Sequence, residues 1–211
     1  VLSAQTAKKA FKKLGKEEFS VAKVMFDNML TAKEDVAVAE YGLALIYSNK
    51  KYMNTDLFKA WHYIYDAQIH IKDLPAENLD KYSDFFNKEK LEDARNTIDD
   101  ALLAVIKLKD DLNETKRFVK ECSFSDNFKE AELLLHKQAY KRAVEYDNIL
   151  AFQEFMKAYP EAKQYKQAQE HIYTLEWNKT VRENSVMAYK NFIKRYPQSK
   201  QRTVAEDKIR E

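Results

Sequence analysis

Glycine and proline are almost missing, with two of the first and three of the second in 211 residues. Sheet proteins need both at tight turns, and nucleotide-binding α/β folds need glycine where backbone meets phosphate. Gly15 and Gly42 supply neither pattern, which excludes strand-rich and Rossmann-like folds. The single Cys122 rules out an internal disulfide. Beside Val119 and Phe124, it reads as a packed thiol rather than a reactive one. A chain this long buries roughly 70% of its unfolded surface and needs no covalent staple. Neither sign of charge dominates: 36 Lys and Arg face 34 Asp and Glu, for a net of +2. A mixed surface of this kind lacks the basic footprint of a nucleic-acid binder. No apolar run reaches the 18 or so residues of a membrane-spanning helix, so no transmembrane span is expected.

Catalytic and metal-binding patterns are also lacking. His62, His70, His136 and His171 do not form an HExxH-type motif, and there is no cysteine cluster, so no metal or other cofactor is expected. No nucleophile elbow or phosphate-binding loop occurs, and Cys122 has no evident base. The adjacent carboxylates Glu17-Glu18, Asp99-Asp100 and Asp110-Asp111 sit about 100° apart around a helix. Interleaved with lysine, they read as solvated faces rather than acid–base pairs. No catalytic, cofactor or metal residue is therefore nominated, and the binding residues stay unknown.

What the chain does contain is a repeat. Tyr159-Pro160 returns as Tyr196-Pro197, 37 residues later. At that offset Ala151 matches Ala188, Phe152 matches Tyr189, and Phe155 matches Phe192. Phe128, Ala131 and Leu135 match Tyr165, Ala168 and Ile172, and Ala205 and Ile209 open a third, incomplete copy. Self-similarity at this period marks a solenoid. Each copy reads as two helices, because its apolar residues recur three and four apart. Ser125 and Ser199 are candidate N-caps of the first helix, and Asp147 and Asn184 occupy the turn between the two. The second helix must stop before Pro160 or Pro197.

The N-terminal third follows related logic. Ala7, Ala10, Phe11 and Leu14 form one stripe, and Phe19, Ala22, Phe26, Met29 and Leu30 the next. A second pair spans Val36 to Tyr47 and Asp56 to His70. In between, Pro75 starts a short helix through about Phe86. One long helix is then expected from about Lys88 to Cys122. Leu91, Ala94, Ile98, Ala101, Val105, Leu108, Leu112 and Val119 follow a helical spacing there, broken only by Thr115. Leu102, Leu103 and Ile106 widen this stripe beyond a two-stranded seam, which favours packing within a monomer over a coiled-coil dimer.

Two resemblances follow from these residues. Leu43-Ala44-Leu45-Ile46-Tyr47, Asp56, Lys59-Ala60, Tyr63 and Ala67 resemble the Sel1-like pattern. Its two turn glycines, however, correspond to Lys50 and Tyr52. The A-[FY]-x-x-F-[MI]-K-x-Y-P signature of the second half resembles tetratricopeptide repeats of bacterial envelope proteins. It is similar to repeats of the outer-membrane assembly lipoprotein and the Tol–Pal coordinator, and to N-terminal regions of exported Bacteroidetes proteins. The resemblance implies an all-α solenoid of antiparallel helix pairs with one long central helix. Its parts are degenerate TPR/Sel1-like pairs over 1–72, a helical connector over 73–124 and 37-residue repeats over 125–211. It further implies export to the periplasm or outer membrane. Val1-Leu2-Ser3-Ala4-Gln5 agrees with that, because it resembles the tail of a cleaved signal. The alternative is an ordinary start in which Ser3 caps the first helix.

The function expected is a non-catalytic scaffold that presents a concave repeat surface to a protein or peptide, as part of a larger envelope protein. Surplus tyrosine suits such a groove. The alternative is a carbohydrate- or peptidoglycan-associated module in which Trp61 or Trp177 stacks on sugar rings. A plain structural spacer also fits. If the repeat assignment holds, Ala168→Leu overpacks a helix contact and costs about 1–3 kcal/mol. Thermal unfolding checks this, and an unchanged melting curve contradicts the assignment.

Overall fold

The computed structural model describes residues 2–211, with side chains from Gln5 onward. The leader-like start and the Ser3 cap lie outside the described residues. Every regular element among those residues is helical. The helices sort into two compact units: Val1–Lys109 with Phe124–Asn127, and Asp110–Ser123 with Phe128–Glu211.

The first unit holds α1 (Leu2–Gly15), α2 (Phe19–Ala32), α3 (Val36–Ser48), α4 (Leu57–His70), α5 (Ala76–Tyr82) and α6 (Lys88–Lys109). Its centre is α3, whose residues from Ala37 to Ala44 are all buried. A helix apolar on every side must be covered on every side, and α1, α2, α4 and α6 all pack against it. Gly42 is where α2 comes closest. A Cβ there would fall 2.3 Å from Cζ of Phe26, so the ring occupies the space a side chain would need. Phe26 is fully buried and meets Phe11 edge-on at 5.0 Å.

The hairpin between α3 and α4 forms as its sequence requires. The Asp56 side chain accepts from the Lys59 amide at 3.0 Å and caps α4. The Thr55 hydroxyl reaches the carbonyls of Asn49 and Tyr52. Neither Lys50 nor Tyr52 has positive φ, so the loop dispenses with the left-handed backbone that glycine would permit. Tyr52 instead turns inward, with its ring 5.8 Å from that of Tyr47.

One carboxylate departs from the expectation of a solvated face. Asp99 is 2% exposed. It accepts from Trp61 Nε1 at 2.9 Å, from the Ser125 hydroxyl at 2.7 Å and from the Asp126 amide at 3.1 Å. These donors satisfy both carboxylate oxygens in the interior. They also pin the segment Phe124–Asn127 onto the first unit, with help from Arg95 paired to Asp126 at 2.7 Å and Asn127 bonded to Asp100. Ser125 thus spends its hydroxyl proton on Asp99, while its oxygen accepts from the Asn127 amide just ahead of the next helix.

The second unit holds α7 (Leu112–Glu121), α8 (Phe128–Tyr146), α9 (Ile149–Ala158), α10 (Tyr165–Glu183), α11 (Val186–Arg195) and α12 (Arg202–Arg210). The 37-residue offset holds at the helix boundaries: α7, α9 and α11 start at Leu112, Ile149 and Val186, and each runs for 10 residues. Their caps Asp111, Asn148 and Ser185 all accept backbone amides through the side chain. Both α9 and α11 stop just short of the Tyr-Pro pairs. Before each cap comes a left-handed residue: Asp110 at φ 48°, Asp147 at 42° and Asn184 at 47°. Short polar side chains tolerate this region best after glycine.

Asp110 therefore breaks the helix expected to run unbroken from Lys88 to Cys122. Helix α6 ends at Lys109, α7 begins at Leu112, and Leu108 is 86% exposed rather than part of a stripe. The connector carries a further copy of the repeat in disguise: Leu91, Ala94 and Ile98 precede Phe128, Ala131 and Leu135 by 37. Thr115, which interrupts the apolar spacing, stands where later copies have Phe152 and Tyr189. It is fully buried, with its hydroxyl donating to the Asp111 carbonyl at 3.0 Å. Cys122-Ser123 replaces Tyr-Pro, and the buried thiol takes the tyrosine's place.

Replacing Asp99 by Ala strands the Trp61 and Ser125 donors in the interior and costs about 1–3 kcal/mol. Asp99→Asn, which keeps an acceptor, loses less. Urea unfolding of the two variants checks the order, and equal losses contradict it.

Candidate functional site

The repeat builds the same notch twice. In the α8–α9 hairpin it is lined by Arg142, Ala143, Tyr146, Ala151, Phe155 and Tyr159; in the α10–α11 hairpin, by Lys179, Thr180, Glu183, Ala188, Phe192 and Tyr196. Each residue of the second set lies 37 positions after its counterpart. The notch exists because a small residue, Ala151 or Ala188, stands one turn before a buried phenylalanine on the second helix. The first is the larger, at about 410 Å³, and α7 adds Leu112 and Lys116 to its wall. The second is about 190 Å³ and polar. One residue before Ala151 and Ala188 in the chain, Leu150 and its counterpart Met187 are 63% and 65% exposed.

Burial now separates the tyrosines that composition alone could not. Tyr41, Tyr47, Tyr52, Tyr82, Tyr173 and Tyr189 are core residues, whereas Tyr140, Tyr146 and Tyr159 are only partly covered or exposed. Tyr140 and His171 line a shallow groove of about 340 Å³ between α8 and α10, where His171 stacks on Phe152 at 4.7 Å. His136, half-buried against Tyr159, is held below the ordinary imidazole range by burial. Trp61 is 3% exposed and bonded to Asp99, so it cannot stack on a sugar. Trp177 is half-buried against Tyr189 and Phe192.

The first unit carries a cleft of about 500 Å³ where the α2–α3 turn meets the end of α4, lined in part by Lys33, Asp35, His70 and Asn78. Lys33 and Asp35 are left-handed at φ 55° and 44°. The Asp35 carboxylate accepts from Asn78 Nδ2 at 2.9 Å and from the Tyr82 hydroxyl, which ties α5 to this turn. At the cleft edge His70 Nδ1 lies 2.8 Å from a carboxylate oxygen of buried Glu40. Burial pushes the Glu40 carboxyl up, outweighing the lowering by His70. The hydrogen bond to Glu40 in turn raises the His70 imidazole. No serine, threonine or cysteine lines this cleft, and no group of three or more metal-ligating side chains occurs among the described residues.

Among the residues singled out from sequence, Asp110 and Asp111 are structural: Asp110 accepts from Gln138 at 3.0 Å and Lys141 at 3.1 Å, and Asp111 caps α7. Glu17 pairs with Lys51, and Glu18 with Lys13 at 2.5 Å. The structure brings none of the four histidines together as a ligand pair. The notch was missed because its signal, small residues at Ala139, Ala143, Ala151 and Ala158, reads equally as ordinary helix packing. No family model matches the chain, and neither a curated protein nor a solved structure matches it.

The Glu40–His70 pair sets a pH-dependent stability. Its ionic form needs Glu40 deprotonated, above its raised pKa, and His70 protonated, below its own raised pKa. His70→Ala should cost about 1 kcal/mol or less near pH 6, where a buried carboxylate loses a donor that is itself 41% exposed and so screened by solvent. The loss shrinks as pH falls through the Glu40 titration, and also as pH rises through that of His70. Urea unfolding of wild type and variant at several pH values checks this, and a pH-independent difference contradicts it.

Proposed function

We propose that this protein is a non-catalytic interaction scaffold, a TPR-like superhelix of helix pairs that presents its repeat surface to a protein or peptide. The observation that carries the reading is the recurrence of one notch, position for position, in successive hairpins. Repeat proteins bind extended partners through equivalent positions on successive units, and a notch kept at the same place in two copies fits that mode. Exposed Leu150 and Met187, each one residue before a notch alanine, support it, since large apolar side chains in water are natural contact points. The proposed partner is a protein or peptide rather than nucleic acid, in keeping with a net charge of +2. The proposed setting is the bacterial cell envelope, on the resemblance of the Tyr-Pro-terminated units to envelope repeats.

A photo-crosslinking amino acid placed at Leu150 or Met187 tests the proposal in extract of the source cells. The same macromolecular adduct should form from both positions and be absent from a control at Met53, on the other unit. Adducts that differ between the two positions, or none at either, contradict the scaffold reading.

A further inference from the structure

We infer that the notch between α7, α8 and α9 receives an acidic peptide through one large apolar side chain. This deepens the scaffold reading and rests on it. The occupant follows from the difference between the two equivalent notches. In the first, the wall positions Ala139, Ala143 and Ala158 are methyl groups; in the second the same positions are Glu176, Thr180 and Arg195. The first is the less polar of the two and has more room for a bulky side chain, at about 410 Å³ against about 190 Å³. Burying apolar surface there supplies affinity without direction.

Charge supplies the direction. Lys116 from α7 and Arg142 from α8 both stand at the first notch, against one carboxylate, Glu154. Arg142 donates to the Tyr146 hydroxyl at 3.2 Å and lies 5.6 Å from its ring centre. Asp111, engaged in capping α7, and Glu145 act on Arg142 only through space. Tyr146 thus holds in place a guanidinium that carboxylates influence only through space, none being hydrogen-bonded to it. A guanidinium so oriented accepts a carboxylate through two parallel hydrogen bonds. The matching ligand places Asp or Glu beside a Leu- or Phe-like anchor, with a second acidic residue within reach of Lys116. A basic segment meets two like charges, and a purely apolar one leaves both cations uncovered.

Panning a random dodecapeptide library on the full chain, then measuring the recovered sequences as labelled synthetic peptides by fluorescence anisotropy, tests the inference. The recovered peptides should share a bulky apolar residue flanked by Asp or Glu. Their affinity should fall about tenfold or more for Arg142→Glu, which reverses the rim charge. It should fall likewise for Ala139→Glu, which copies the second notch, while Lys8→Glu, exposed on α1 and lining neither notch, leaves it unchanged. Circular dichroism melts confirm that each variant is folded, and either of the first two alone suffices if the other is not. Recovery of basic or uncharged peptides overturns the inference, as does acidic-peptide binding that ignores both notch variants. In those two cases the scaffold reading survives, whereas recovery of no peptide at all counts against both.

Discussion

The second unit depends on one contact that recurs at a fixed interval, a phenylalanine on a second helix packed with an alanine on the helix that follows. Phe155 shares a core cluster with Ala168, and Phe192 shares one with Ala205. Ala131, Ala168 and Ala205 are all fully buried. A side chain larger than methyl at these places would hold the next helix off, and everything stacked beyond would follow. Close packing leaves no slack for this, because interiors are as dense as organic crystals. The first unit solves the same problem one atom further, with Gly42 giving its Cβ space to the Phe26 ring. In both units the helices approach closely because one partner has almost no side chain.

The notch shares those phenylalanines but uses other alanines, Ala151 and Ala188, one turn before them on the same helix. The residues around it differ between copies. Ala139 and Glu176, or Tyr146 and Glu183, sit at equivalent places with opposite chemistry. In the proposed binding mode, shape comes from the phenylalanine and the alanine one turn before it, and selectivity from the positions around them. The Asp99 and Asp35 networks do another job: they fix irregular segments, Phe124–Asn127 and the α2–α3 turn, that apolar packing alone would leave unspecified.

How much was legible in the sequence follows from the same physics. The pairs α1–α2 and α3–α4, the Asp147 and Asn184 turns and the stops before Pro160 and Pro197 were all readable, because each has a local cause. The break at Asp110 was not. Its left-handed backbone is carried by an aspartate rather than a glycine, and Thr115 and Cys122-Ser123 replace the aromatic and Tyr-Pro signals of the later copies. Asp99 was misread for a related reason, since helical position alone does not reveal that Trp61 and Ser125 converge on it from distant parts of the chain. The candidate site was the least legible part, because alanines that shape a hollow and alanines that only pack look alike.

A left-handed residue and a helix start recur at one interval through the connector as well as the later repeats. NMR backbone chemical shifts and ³J couplings at Asp110, Asp147 and Asn184 test it most directly. Positive φ at all three, with helical shifts resuming within two residues on the far side, is the expected result. Unbroken helical shifts from Lys88 through Cys122, with Asp110 in the right-handed region, would contradict the account.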